Sequence, residues 1–152
     1  MSEPVDLSPS LPVVWRPWRT RLVAYVMAGV VVIGAVVLAA VLPDPFRLPD
    51  RIGVVLFALL VAGVLHLLGR CRVVADERGL TAVNALRTHR LEWAEVLDVH
   101  LLVGEPWAKL DLADGSSLAV MGIQGSEKAR AHRAVRELRA LISKYGEAPE
   151  PR

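Results

Sequence analysis

The sequence predicts an α+β protein: an N-terminal two-helix transmembrane hairpin, then an antiparallel β-sandwich or barrel capped by a C-terminal α-helix. Three observations predict it. Two long uncharged runs fill the early part of the chain, short alternating segments set off by turn residues follow, and one amphipathic stripe closes it. Apolar residues make up 53% of the 152 residues and mean hydropathy is +0.40. That excess is gathered into the two runs instead of being spread through one core.

The first run, Leu22 to Leu42, is 21 residues without a charge. A helix of about 20 residues crosses a hydrocarbon layer of roughly 30 Å. Inside lipid every backbone polar group must be paired within the segment, so helix overrides the weak propensity of its many valines. The second run, Ile52 to Leu68, has 17 residues, with His66 near one end as its only ionisable side chain. Pro43, Pro45 and Pro49 punctuate the nine residues between them. Prolines end helices and stiffen the link, so the two spans form an antiparallel hairpin. A cleaved signal peptide fits poorly, because its apolar region is about 7–15 residues long. A hairpin buried in a soluble domain also fits poorly, because the remaining chain is too small to wrap two wholly apolar helices.

Arg16, Arg19 and Arg21 precede the first span, Arg70, Arg72 and Arg78 follow the second, and the loop holds Arg47 and Arg51. Excess Lys and Arg marks the cytoplasmic side. Both termini are therefore expected inside, in a two-pass protein of the plasma membrane. Trp15, Trp18 and Tyr25 match an interfacial aromatic belt. Pro4, Pro9, Pro12 and Pro17 leave the start of the chain without helical or strand pattern, so residues 1–21 are expected to be a flexible tail. Small residues recur at helical spacing at Ala24 and Ala28, Ala35 and Ala39, and Ala58 and Ala62. They suit close packing within the hairpin or dimerisation through it.

The texture changes near Arg70. CRVVA and LTAVN flank a turn at Gly79, and HRLEW and VLDVHLLV follow. In WAKLDL, Trp107, Lys109 and Asp111 fall on one face and Ala108, Leu110 and Leu112 on the other. Asp114-Gly115 marks a hairpin turn before SLAVMGI. Six short strands at regular spacing argue an antiparallel sandwich or barrel over residues 70–146. Ser126 to Tyr145 then reads as one helix, with Ser126 as its cap. Ala131, Ala134, Val135, Leu138, Leu141, Ile142 and Tyr145 form its apolar stripe. Gly146 ends it, and residues 147–152 read as a disordered tail.

The stretch RVVADERGLTAVNALRTHRLEWAEV resembles the opening of the bacterial pleckstrin-homology (PH) family found in small two-span membrane proteins. The resemblance rests on the turn Asp76-Glu77-Arg78-Gly79-Leu80, on Asn84, on Leu86-Arg87-Thr88, and on Trp93-x-Glu95-Val96. It covers roughly residues 70 to 145. It implies two nearly orthogonal antiparallel sheets with one open end plugged by the C-terminal helix. That fold usually has seven strands, so a seventh is expected around Leu86 to His89 or inside Val96 to Val103.

The sequence offers no catalytic set. It has no Gly-rich phosphate loop, no Cys/His pair at zinc spacing and no nucleophile elbow. His66, His89, His100 and His132 are scattered over different elements. Cys71 is the single cysteine, so no intrachain disulfide can form. It suits a buried or interfacial thiol better than an acylated one. The chain is expected to be no enzyme and to need no metal or cofactor. The candidate contact residues are Arg70, Arg72, Arg87, His89 and Arg90. The expected role is an interaction or adaptor module at the inner face of the plasma membrane, its partner another membrane protein. The competing reading is binding of anionic lipid headgroups by the same basic residues, each worth about 1 kcal/mol near an anionic leaflet. Nucleic-acid binding is not expected, because the Arg-rich helix is committed to packing and carries Glu127 and Glu137 beside its arginines.

Overall fold

A computed structural model describes residues 8–146, so the expected tail over 147–152 lies outside the described residues. The described residues fold as two units: residues 18–70, and a domain formed by residues 8–17 with 71–146.

The first unit is the helical hairpin. α1 runs over Trp18–Val41 and α2 over Leu48–Gly69. Both are long and apolar enough to cross a membrane. Each is longer than its uncharged run. α2 begins before Pro49, which stands in the first helical turn, where a missing N–H costs nothing. The Asp50 carboxylate accepts the Arg47 backbone N–H at 2.8 Å, and Arg51 donates to the Leu42 carbonyl at 2.7 Å. These bonds close the connection at both sides. Only Ala24, Ala58 and Gly69 are buried, while residues such as Ile33, Phe57 and Leu60 are about two-thirds exposed. A soluble core helix would hide that surface, whereas a bilayer would cover it. The small residues at helical spacing lie on the more covered stripe of each helix, which favours packing within the hairpin. The Tyr25 hydroxyl meets His66 Nδ1 at 3.2 Å.

The second unit is built on two antiparallel sheets. The first has the order β1-β2-β3-β4, from Val13–Trp15, Arg72–Asp76, Gly79–Val83 and Thr88–Glu92. The second has the order β5-β6-β7, from Val96–His100, Trp107–Leu112 and Ser117–Gln124. α3, Ala129–Tyr145, packs its apolar stripe against them. The core joins Val73, Ala75, Leu80 and Ala82 of one sheet to Val99, Leu110 and Val120 of the other, with Leu138 and Leu141 between. The sheets do not close into a barrel, and β7 crosses β2 at Gly122. A Cβ there would stand 2.5 Å from the Arg72 carbonyl carbon, so only glycine lets the backbones meet.

The seventh strand stands at neither expected place. It is β1, from the stretch expected to be a tail. Val13, Val14 and Trp15 pair with Ala75, Val74 and Val73. The helical hairpin is thus inserted between the first two strands of one sheet. Trp15, expected at the membrane interface, is 9% exposed in the domain core and donates its indole N–H to Glu137 at 2.9 Å. α3 also starts later than expected. Ser126 lies in a 3-10 turn, and Lys128, with φ of 45°, occupies the cap position.

Candidate interaction surface

Strand alternation sorts the candidate residues. In β4, Leu91 packs against the core and His89 shares its inward face. Thr88, Arg90 and Glu92 therefore point to the outer face. His89 and Arg90, adjacent in sequence, project to opposite sides of the sheet. Arg72, two residues before Val74 in β2, shares the outer face with Arg90. The register places two strand spacings and two residues between their Cα atoms, or about 12 Å. Arg87 sits in the β3–β4 turn, where its carbonyl accepts the Asn84 N–H at 2.9 Å. Arg70 ends α2, in the other unit. The structure thus brings Arg72 and Arg90 to one face, puts Arg87 at that sheet's end, and turns His89 to the opposite face. No ion pair among the described residues engages Arg70, Arg72, Arg87 or Arg90.

Asn84 is a positioning residue. Its side-chain amide donates to the Ala119 carbonyl at 2.7 Å and accepts the Met121 N–H at 3.0 Å. One side chain therefore stands in for a strand partner of β7 and fixes the β3–β4 turn on the second sheet. At the other end of the sheet, Asp76 Oδ1 accepts the backbone N–H groups of Arg78 and Gly79 at 2.8 and 3.1 Å. The Trp93 indole N–H reaches the Asp76 carbonyl at 3.0 Å. These bonds account for the turn, Asn84 and Trp93 as structural features.

Sequence reasoning missed the open edge of β4. Asn84 and Arg87 form a hydrogen-bonded pair, and such pairs alternate along an antiparallel ladder. The bonded pairs are then Ala82/His89 and Leu80/Leu91, so Thr88, Arg90 and Glu92 turn their N–H and C=O groups away from β3. Glu95 takes the Glu92 N–H at 2.7 Å. Thr88 and Arg90 are left at the sheet's edge with exposed side chains. Turn and register together reveal this, and neither is printed in the residues alone.

On β5, the edge strand of the second sheet, α3 takes up one outward carbonyl. Arg139 from α3 donates to the Val99 carbonyl and pairs with Asp98 at 2.9 Å. Burial works to raise the Asp98 pKa, but the Arg139 hydrogen bond, the Val99 N–H and the Arg139 charge outweigh it, and the carboxyl lies below its ordinary value. The outer face of the second sheet carries His100 against Asp111 at 3.2 Å, and Lys109 reaches Glu105. Lys109 and the Leu102 N–H lower the Glu105 pKa.

The two antiparallel sheets and the capping helix define a PH-type domain, and two long apolar helices accompany it in the chain. The Bacterial PH domain family model matches residues 70–141. Uncharacterized proteins of Mycobacterium tuberculosis, in strains H37Rv and CDC 1551, and of Mycobacterium bovis are 33% identical over 138 residues, covering 88% of this chain and 90% of theirs. The chain belongs to the bacterial PH domain family. The family match begins two residues before β2, so β1 and the helical hairpin precede the matched segment. No solved structure matches significantly.

Proposed function

We propose that the chain is a two-pass protein of the plasma membrane whose PH domain acts, without catalysis, as an adaptor at the inner face. The open edge of β4 is the observation that carries this reading. An exposed edge offers main-chain donors and acceptors to an added strand, and flanking side chains choose the partner. Thr88 and Arg90 supply two donors and two acceptors. The arginine gives the edge a charge that discourages indiscriminate pairing, a device common on natural edge strands. A partner strand with an acidic residue opposite Arg90 fits best.

The test uses a photo-crosslinking side chain at Thr88 in the full chain, in its native membrane. One discrete partner should be captured. Arg90→Pro should abolish the capture while leaving the thermal transition nearly unchanged, because the lost N–H faces away from β3 and proline is tolerated on edges. Capture that is the same in the proline variant, or no capture at all, rejects the edge as the docking site. Binding of a lipid headgroup in a discrete pocket at Arg87, His89 and Arg90 is less well supported, because His89 and Arg90 face opposite ways.

A further inference from the structure

The exposed side of α3 carries charge of mostly one sign. Its 17 residues hold Arg130, Arg133, Arg136, Arg139 and Lys144 against one acid, Glu137. Most of these groups are engaged. Arg130 stands 3.9 Å from Glu127, Arg139 is paired with Asp98, and Lys144 donates to the Ser8 hydroxyl at 3.2 Å. Glu137 accepts the Trp15 indole N–H. Arg133 and Arg136 are the exception. Both are exposed, and no ion pair among the described residues engages either.

Arg133, Arg136, Ala140 and Ser143 follow one another at intervals of three, four and three residues, which sets them in one line along the helix, away from the packed stripe. They line a shallow groove of about 480 Å³, in which Ala140 leaves room between the longer side chains. Arg139 and Ser143 also line a second hollow, of about 310 Å³, between α3 and the start of β5. Val96, Leu97 and Ile142 give that hollow an apolar wall, and Leu97 is 62% exposed. The surface does not invite an added strand. At Val99 the Asp98 carboxylate accepts the N–H and Arg139 donates to the carbonyl, so β5 has no free main-chain pair there.

We propose that this continuous groove docks an acidic amphipathic helix of another protein, with one apolar side chain seated between Leu97 and Ile142 and carboxylates facing Arg136 and Arg133. Charge selects the sign of the partner. Two exposed guanidiniums with no acid opposite them favour carboxylates, and the planar arginine fork can take a carboxylate in two parallel hydrogen bonds. Spacing selects its shape. Arg136 and Arg133 lie seven and ten residues before Ser143, or about 10 and 15 Å along α3. An apolar anchor with acids two and three turns away on one face of a second helix spans the same distances. The small side chains of Ala140 and Ser143 let the two helix axes approach closely. The groove belongs to α3 and β5, apart from the edge of β4, and does not depend on the reading of that edge.

A photo-crosslinking side chain at Ala140 in the full chain, in its native membrane, would trap the occupant, and mass spectrometry of the linked peptide would identify it. The expected product is a segment of a different protein that has an apolar residue with Asp or Glu two and three helical turns from it. R133E/R136E should reduce the capture by more than about tenfold, because it sets like charges opposite each other. Exchanging the partner's two acids for lysine should restore capture in that variant and abolish it with the unaltered chain. R133Q/R136Q, which adds no repulsion, should weaken capture less than the reversal does. Both variants should keep the thermal transition, since the two side chains are exposed. Arg90→Pro, which acts on the β4 edge, should leave this capture unchanged. Capture that is indifferent to charge reversal, failure of the lysine exchange to restore it, or no discrete product overturns the proposal. Loss of capture in Arg90→Pro would assign it to the partner of β4, and overturns the groove as a site of its own. A product containing nucleic acid, a second copy of this chain or its own residues 147–152 names a different occupant and overturns it equally.

Discussion

At the scale of residues, small polar side chains do what strands cannot. The two sheets meet at a corner where β3 has ended, and the Asn84 amide supplies both a donor and an acceptor to β7. Asn84→Ala removes both bonds and leaves the Ala119 carbonyl and Met121 N–H without that partner, at a cost of about 1–3 kcal/mol. Asn84→Asp keeps the acceptor but aims a negative oxygen at the Ala119 carbonyl, and should fare no better. Thermal denaturation checks this, with a midpoint drop of about 4–8 °C for each kcal/mol in a domain of this size. An unchanged midpoint would remove Asn84 from the corner. Charged residues add a pH term. Asp98, Glu105 and Asp114 all have pKa values below the ordinary 3.8, 4.5 and 3.8. Arg139 partners the first, Lys109 the second, and the Ser116 hydroxyl and N–H the third. A depressed carboxyl contributes stability that is complete above its ordinary value and is lost as pH falls through the folded one. The contribution of these three carboxyls should thus be constant near neutrality and be lost below about pH 4 to 5. Arg139→Ala should move the Asp98 titration upward, read by the side-chain carbon shift in NMR. An unmoved titration would show that the Arg139 bond is not made in solution.

At the scale of elements, what the sequence revealed depended on how local each signal was. β2 to β7 were legible because alternation and turn residues such as Gly79 and Asp114-Gly115 are local. The apolar runs and the α3 stripe were legible for the same reason. β1 was not: it has three residues, too few to alternate, and its partner lies 58 residues on, past the whole helical hairpin. The start of α3 was hidden because Gly125, packed on the Glu105 carbonyl, draws the chain into a 3-10 turn before the helix. Of the candidate surface, the basic residues were visible but their grouping was not, since adjacent residues of a strand face apart. The split sheet makes a sharp prediction. Residues 8–17 joined to 71–146 by a short Gly-rich link, with residues 18–70 removed, should fold in water without detergent, because Trp15 and Val73 are direct neighbours. The same segment without residues 8–17 should melt lower, having lost the core contacts of Trp15, for which truncation of a buried Trp costs about 3–5 kcal/mol. Amide NMR spectra of the two proteins decide it, and equal dispersion and stability would reduce β1 to decoration.

At the scale of the whole molecule, the β1–β2 pairing constrains how the chain can cross a membrane. Trp15 precedes α1 and Val73 follows α2, yet they are cross-strand partners, about 5 Å apart between Cα atoms. A domain closed in this way requires both ends of the hairpin to emerge on one side, so the number of crossings must be even. Two spanning helices satisfy that, and a single crossing does not. For two membrane spans, the strand pairing requires that the side be shared, and the proposal that this side is the inner one rests separately on the arginine distribution. Single cysteines at Ser10, Phe46 and Ser143, in a Cys71→Ala background, can be probed with a membrane-impermeant thiol reagent in sealed vesicles of both orientations. Residues 10 and 143 should react together, in inside-out vesicles, and residue 46 only in right-side-out ones. Opposite sidedness for residues 10 and 143 would forbid the β1–β2 pair in the cell. Labelling of residue 46 from the same side as the other two would mean that the apolar helices lie on the membrane instead of crossing it. Because the two outcomes differ, the experiment tests the β1–β2 pairing across the helical hairpin and the membrane assignment independently.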